Sequence, residues 1–439
     1  MLASKTYVTL STAPTEGGIS IIQIIGPESQ SIIRKVFQPK HKFSRHGGIA
    51  TNRIYLGTIA RNNPSRDGGY HEKIDEVIIR LIPSRKSFSG LETVEINCHG
   101  GIIITRKIIR VLKRLGTKQI STKQLINLSP KTGKIDRCRQ EALMALMDAK
   151  TKLAAEVLLS QYQGALSRKI KELTSLAGRP VSLTGNEILH HRLLKEIKYL
   201  LATADFGLSL CQPKKILIAG RPNTGKSTLF NYLVGKERVV THHLPGTTRD
   251  AVEELTALEE IPFRLVDSAG VRKISGRPRF FKPLNSKNTV ASQLIIEKLG
   301  IRETKRQIKQ ADLIILLFDG SVPSRHGGNK SLITLLKNKP FIPVINKIDR
   351  PLKINLTDLK SLLKKEAVCL SALTGQGIDS LKQTLLKISG SDSTGKYLKG
   401  PVIFTARQHR IVTKIARLLN KKINPVFNQV KNLFGALLH

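Results

Sequence analysis

Gly220-Arg-Pro-Asn-Thr-Gly225-Lys226-Ser227 places two glycines, a lysine and a hydroxyl where a chain can wrap a phosphate. The glycines let backbone N–H groups turn inward, the Lys226 ammonium reaches β- and γ-phosphate oxygens, and the Ser227 hydroxyl can ligate Mg²⁺. Asp267-Ser268-Ala269-Gly270 adds a carboxylate for the outer shell of that metal and a glycine N–H near the γ-phosphate. Gly246-Thr247-Thr248-Arg249-Asp250 supplies a hydroxyl able to complete the Mg²⁺ sphere when the γ-phosphate is present, which is switch chemistry. Asn346-Lys347-Ile348-Asp349 carries a carboxylate that can accept from guanine N1–H and the 2-amino group, a donor pair adenine lacks. Ser371-Ala372-Leu373 follows and closes the base pocket. The order and spacing of these stretches predict binding and hydrolysis of GTP.

Val271 follows Gly270, where many GTPases carry a Gln that orients the attacking water, so another group must position it. Asn223 offers a side-chain oxygen beside the α- and β-phosphates. It suits a monovalent cation acting in the manner of an arginine finger, or a hydrogen bond that holds the shape of the loop.

The elements around these residues follow from hydrophobic patterning. Short apolar runs at Ile216–Ala219, Phe263–Val266, Leu313–Phe318 and Phe341–Ile345 alternate with amphipathic stretches, as buried parallel strands do. From Tyr7 to Ile25 and from Ile74 to Ile96, β-branched runs broken by Gly and Pro predict strands of an α+β domain. Between Asp136 and Leu210, Ala142, Leu146, Leu153, Val157 and Leu158 recur at helical spacing. Ser389–Gly395 is expected to be a linker, and Ile411, Ile415, Leu418 and Leu419 mark one more amphipathic helix. The expected organisation is α/β and α+β multidomain: an N-terminal α+β domain (1–119), a first helical part (120–211), an inserted P-loop domain (212–389) and a second helical part (390–439).

With 73 Lys plus Arg against 32 Asp plus Glu, the formal charge of the 439 residues is +41. Such a field attracts polyanions, and nucleic acid is the leading partner class, although an evenly solvated basic surface gives the same sum. Aromatics at 5% and the absence of Trp disfavour base stacking on a single strand. No apolar run approaches the roughly 18 to 20 residues of a membrane span. Cys98, Cys138, Cys211 and Cys369 stand singly, against a disulfide scaffold or a zinc ribbon and in favour of a reducing, cytoplasmic setting. Met1–Leu10 resembles neither a secretory signal nor a transit peptide. Beyond Asp392 there is no acid, while Lys396, Lys399, Arg407, Arg410, Lys414, Arg417, Lys421, Lys422 and Lys431 remain.

A GTPase unit inserted in a helical domain, with these motifs, resembles the tRNA modification GTPase MnmE (TrmE) family. Ser11-Thr-Ala-Pro-Thr-Glu-Gly-Gly18 with Ile19–Gly26, Ser87 to Gly101, Gly133-Lys-Ile-Asp136 and Gln140-Glu-Ala142 are similar to further stretches of that family, so the resemblance covers nearly the whole chain. It implies a homodimer whose N-terminal domains are folate-binding-like and take a formyl-tetrahydrofolate. It also implies a flavoprotein partner, MnmG-like, and modification of C5 of the tRNA wobble uridine, of the carboxymethylaminomethyl type. By position, Asn223, Thr224, Gly225, Lys226, Ser227 and Thr228 would bind GTP, together with His242, His243, Leu244, Pro245, Gly246, Thr247 and Thr248, with Asp267, Ser268, Ala269 and Gly270, and with Asn346, Lys347, Asp349, Ser371, Ala372 and Leu373. Ser227 and Thr248 would ligate Mg²⁺; Asn223, His242, Leu244 and Thr247 would ligate K⁺. Lys226 and Glu297 would be catalytic, Glu297 orienting water, and folate would meet Gln23, Glu95 and Lys134.

The sequence also departs from the family. Gln23 stands for an Arg, Gly90-Leu-Glu92 for Gly-Glu-Asp, no Pro-Gly-Glu-Phe stretch is recognisable between Ser121 and Thr132, and Leu437-Leu438-His439 ends without a Cys-x-Gly-Lys tail. Arg272–Ile296 is an apparent insertion with Lys273, Arg277, Arg279, Lys282 and Lys287 and no acid, either an RNA contact or a solvated loop. Gln23 and the tail favour two other readings, a GTP-regulated RNA-binding or ribosome-assembly factor and a degenerate nucleotide-binding scaffold. Glu95, His99-Gly-Gly101 and Lys134 favour modification.

Overall fold

The computed structural model describes residues 5–12, 17–41, 49–51, 53–63, 70–128, 135–178, 183–235, 253–267, 305–323, 330–336, 339–390, 397–420 and 426–439. The chain divides into two compact units, Met1–Met144 with Leu438–His439, and Ala145–Leu437.

The first unit contains β1 (Tyr7–Leu10), β2 (Ile19–Ile25), α1 (Ser29–Arg34), β3 (Phe37–Pro39), β4 (Ile54–Asn63), β5 (Tyr70–Ile82), β6 (Thr93–His99), α2 (Ile102–Arg114), β7 (Lys118–Gln119) and α3 (Thr122–Leu128), and the boundary falls inside α4 (Arg137–Met147). Its sheet runs β3-β4-β5-β6-β2-β1-β7, antiparallel except where β1 meets β7. Alternation decides the faces. Ile22, Ile24, Ile79, Leu81, Val94 and Ile96 are buried beneath Ile108 and Leu112 of α2, while Gln23, Arg80 and Glu95 share the opposite face as register partners.

The second unit opens with α5 (Lys152–Tyr162), α6 (Ala165–Ala177), α7 (Leu183–Ala202) and α8 (Ala204–Cys211). Then come β8 (Lys214–Gly220), α9 (Lys226–Gly235), β9 (Glu253–Leu258), β10 (Ile261–Asp267), β11 (Leu313–Asp319), α10 (Lys330–Leu335), β12 (Phe341–Asn346), α11 (Leu356–Leu363), β13 (Val368–Cys369) and α12 (Ile378–Ile388). The sheet order is β13-β12-β11-β8-β10-β9, parallel throughout except for the β9–β10 pair. Successive residues of β8 enter different cores: Ile216 and Ile218 pack with Leu229, Leu233 and Leu385, whereas Leu217 and Ala219 pack with Leu359 and Leu363. A strand covered on both faces has no polar positions to spare, and each such Leu or Ile contributes about 1.5 to 3 kcal/mol.

The chain then returns to the helices that preceded the sheet. Gln161, fully buried, donates to Gly400 O (2.9 Å) and accepts from Val402 N (3.2 Å), and Thr203 Oγ1 accepts from Ile403 N (3.0 Å). α13 (Ala406–Asn420) packs on α7, and α14 (Val426–Leu438) follows it. The sequence reading foresees α13 alone; α14 is additional. Of the expected linker, Ser389 and Gly390 belong to the end of α12, where the buried Ser389 hydroxyl donates to Leu385 O (3.0 Å), and the rest lies outside the described residues.

Candidate nucleotide site

The loop from β8 to α9 is set by backbone conformation. Asn223 (φ 64°) and Gly225 (φ 93°) are both left-handed, separated by Thr224, so that the chain curls into a concave row of N–H groups. A Cβ on Gly220 would stand 2.6 Å from Leu317 O, and one on Gly225 2.2 Å from Asn346 Nδ2. Glycine at Gly225 is therefore demanded twice, by conformation and by a neighbour. Thr224 Oγ1 donates to Arg221 O (3.0 Å) and closes the turn.

Lys226 is buried, with Nζ donating to Arg221 O (2.7 Å) across the mouth of the loop, where a phosphate oxygen can take over as acceptor. One residue on, Ser227 Oγ donates to Asp267 Oδ2 (2.8 Å) at the end of β10. A hydroxyl and a carboxylate side by side are hard oxygen donors, and beside phosphates they fit Mg²⁺. Thr228 is exposed on α9.

Asn346, buried at the end of β12, joins the two halves of the site. Its Nδ2 donates to Thr224 O (2.8 Å) in the phosphate loop and its Oδ1 accepts from Ala372 N (2.8 Å) in the segment expected to cover the base. Lys347, left-handed at φ 68°, donates from Nζ to Asn223 O (2.7 Å) and to Asp319 Oδ2 (2.5 Å). Ser371 Oγ donates to Asp349 Oδ1 (2.5 Å), which orients the carboxylate, and Leu373 is 73% exposed. The Asn223 side chain is exposed; the loop is held through its backbone oxygen.

Asp319 is the residue that sequence reasoning missed. Burial favours its neutral form, yet hydrogen bonds from Lys347 and Ser321 outweigh that and hold its carboxyl below the ordinary 3.8. The available signal was its place directly after an apolar strand, at the carboxyl edge where open α/β sheets carry their sites.

In the first unit, Gln23 Nε2 donates to Glu95 Oε2 at 3.5 Å and Arg80 stands 3.5 Å from Glu95 Oε1. Arg80 was not anticipated either. Lys134, His242, His243, Leu244, Pro245, Gly246, Thr247, Thr248, Ser268, Ala269, Gly270 and Glu297 lie outside the described residues.

A parallel sheet whose strand ends hold this loop, a Ser–Asp pair and an Asn-Lys-x-Asp stretch defines a P-loop GTPase. Comparison with known proteins agrees: residues 215–347 match the family model described as 50S ribosome-binding GTPase, and residues 6–124 match GTP-binding protein TrmE N-terminus. The chain is 30% identical over 417 residues to the tRNA modification GTPase MnmE of Desulforamulus reducens, covering 89% of this chain and 85% of that protein. It is 31% identical over 409 residues to the MnmE of Alkaliphilus metalliredigens, covering 88% and 82%. The chain belongs to the tRNA modification GTPase MnmE family.

Proposed function

We propose that this protein is a GTP-hydrolysing switch in the C5 modification of the tRNA wobble uridine, of the carboxymethylaminomethyl type, acting in the cytoplasm as a homodimer with a flavoprotein partner. The observation that carries the reading is that similarity to MnmE proteins spans 88 to 89% of the chain, across both the TrmE N-terminal region and the GTPase region. Among the described residues no helix is long and apolar enough to cross a membrane. The working organisation is 1–119, 120–211, 212–389 and 390–439, the third part inserted between the second and fourth.

In hydrolysis, water adds to the γ-phosphorus, the bond to the β–γ bridging oxygen breaks, and GDP leaves. Lys226 swings from Arg221 O to the β- and γ-oxygens and neutralises charge there. Ser227 and Thr248 would hold Mg²⁺, with Asp267 in its outer shell. The Asn223 side-chain oxygen, with the His242, Leu244 and Thr247 segment, would hold K⁺. When bound, these cations would supply positive charge where the leaving oxygen gains negative charge. Glu297 orients the water, since Val271 cannot. Asp349, fixed by Ser371, accepts from guanine N1–H and the 2-amino group, and Ala372 and Leu373 line the base. Gln23, Glu95 and Lys134 would hold formyl-tetrahydrofolate; Gln23 and Glu95 are hydrogen-bonded neighbours.

Deleting the gene and analysing wobble uridines by mass spectrometry tests the reading. Loss of the C5 substituent is expected; an unchanged nucleoside profile overturns it and leaves a GTP-regulated ribosome-assembly or RNA-binding factor.

A further inference from the structure

Between Glu95 and Asp136 the sequence contains no acidic residue, while Arg106, Lys107, Arg110, Lys113, Arg114, Lys118, Lys123, Lys131 and Lys134 fall within that span. Helix α2 organises the first of these. One of its faces buries Thr105, Ile108, Val111 and Leu112 against the sheet of the first unit. The other presents Arg106, Arg110, Lys113 and Arg114, all exposed, along an open groove of about 420 Å³ completed by Ile109 and Gln119. Arg106, Arg110 and Arg114 recur every fourth residue, in steps of about 6 Å along the helix axis.

Ion pairing separates these groups from an ordinary solvated face. Lys107 meets Glu72 at 3.4 Å, but among the described residues Arg106, Arg110, Lys113 and Arg114 form no ion pair. Four uncompensated cations around one concavity repel each other, and an anion bound there relieves that repulsion. Three of the four are arginines, whose planar forks bind phosphate oxygens two at a time. Ile109, buried in the core of the first unit, closes the bottom of the groove.

We infer that the α2 groove is a docking surface for the sugar–phosphate backbone of folded RNA. The inference rests on the proposed function, in which that RNA is tRNA. It places tRNA on the first unit, in addition to any attraction by the basic C-terminal helices.

The test uses the full-length protein and an unmodified tRNA transcript, with fluorescence anisotropy at several salt concentrations. Two variants are needed: Arg110→Glu with Arg114→Glu, and the neutral triple Arg106→Gln, Arg110→Gln, Arg114→Gln. Both should bind tRNA at least about tenfold more weakly, the neutral variant with a salt dependence shallower by roughly two to three ions. RNA-free GTP turnover should be unchanged in both, because none of these residues belongs to the nucleotide-site motifs; if the charge-reversed variant misfolds, the neutral one decides. Affinity within about twofold of wild type in a folded variant overturns the inference, as does a wild type that binds no tRNA. An equal loss on duplex DNA makes the groove a general polyanion surface and also overturns it, as does a loss seen only on vesicles containing phosphatidylserine. Failure here and failure of the function are distinguishable: intact tRNA binding in the variants refutes the groove alone, whereas unchanged wobble uridines after gene deletion refute the function alone.

Discussion

The nucleotide site and the Gln23–Glu95–Arg80 row are both assembled across neighbouring strands, and they are held together differently. Around the phosphate loop, the buried Asn346 amide uses both ends, tying Thr224 O to Ala372 N, and Lys347 spans Asn223 O and Asp319. Removing the Asn346 amide leaves buried partners unpaired, at about 1 to 3 kcal/mol each. In the row, two contacts of 3.5 Å link groups of which Arg80 is half exposed, so rearrangement is nearly free. The phosphate site is preorganised for charge that develops during reaction; the row is a polar surface that a ligand can reshape.

The contrast breaks first at Lys226. Replacing Lys226 by Ala should lower single-turnover phosphate release by about 100-fold or more, with the fold intact, because it removes the buried ammonium of the phosphate loop. A loss below about tenfold would mean that the loop positions phosphate without it. Next comes Asp349. Asp349→Asn should weaken GTP by about 10-fold to 100-fold and relieve discrimination against xanthosine triphosphate, whose O2 accepts where guanine donates. Equal GTP affinity by titration calorimetry would remove Asp349 from base recognition.

Asp319 gives a smaller effect, flat in pH above the ordinary carboxylate range. A carboxyl held below its ordinary 3.8 contributes its pairing energy fully above that value and loses it only as pH falls through the lowered one. GTP affinity of the wild type should therefore show no step from Asp319 between about pH 8 and 5. Asp319→Asn should weaken binding by about 3-fold to 10-fold, by releasing Lys347 from one of its two anchors. An unchanged affinity would show that Asn223 O alone positions the lysine. The smallest effect belongs to the row: Arg80→Ala should change stability by less than about 1 kcal/mol in denaturant titration. A larger loss would show that the row is a structural element after all.

Much of this is legible in the sequence. The runs Ile216–Ala219 and Leu313–Phe318 read as strands because burial on both faces makes every position apolar. β9 did not, since Glu253-Glu254-Leu255-Thr256-Ala257-Leu258 is an edge strand with one wet face. α14 is not legible because the basic stretch after Asn420 interrupts the pattern, although Val430, Phe434 and Leu437 are buried. The motif residues were found from spacing, whereas the partners Asp319 and Arg80 were not: each is one ordinary charged side chain whose counterpart lies elsewhere in the sequence. Pairing across strands is set by register, and no local pattern encodes it.

The central mechanistic claim is that this GTPase uses a monovalent cation at Asn223 where a switch Gln is missing. Turnover measured in potassium and in sodium, for wild type and Asn223→Ala, tests it most directly. Lowering the barrier by about 4 kcal/mol corresponds to roughly a thousandfold rate, so wild type should be far faster in potassium and the variant slow and indifferent to the ion. Equal wild-type rates in the two salts would contradict the account.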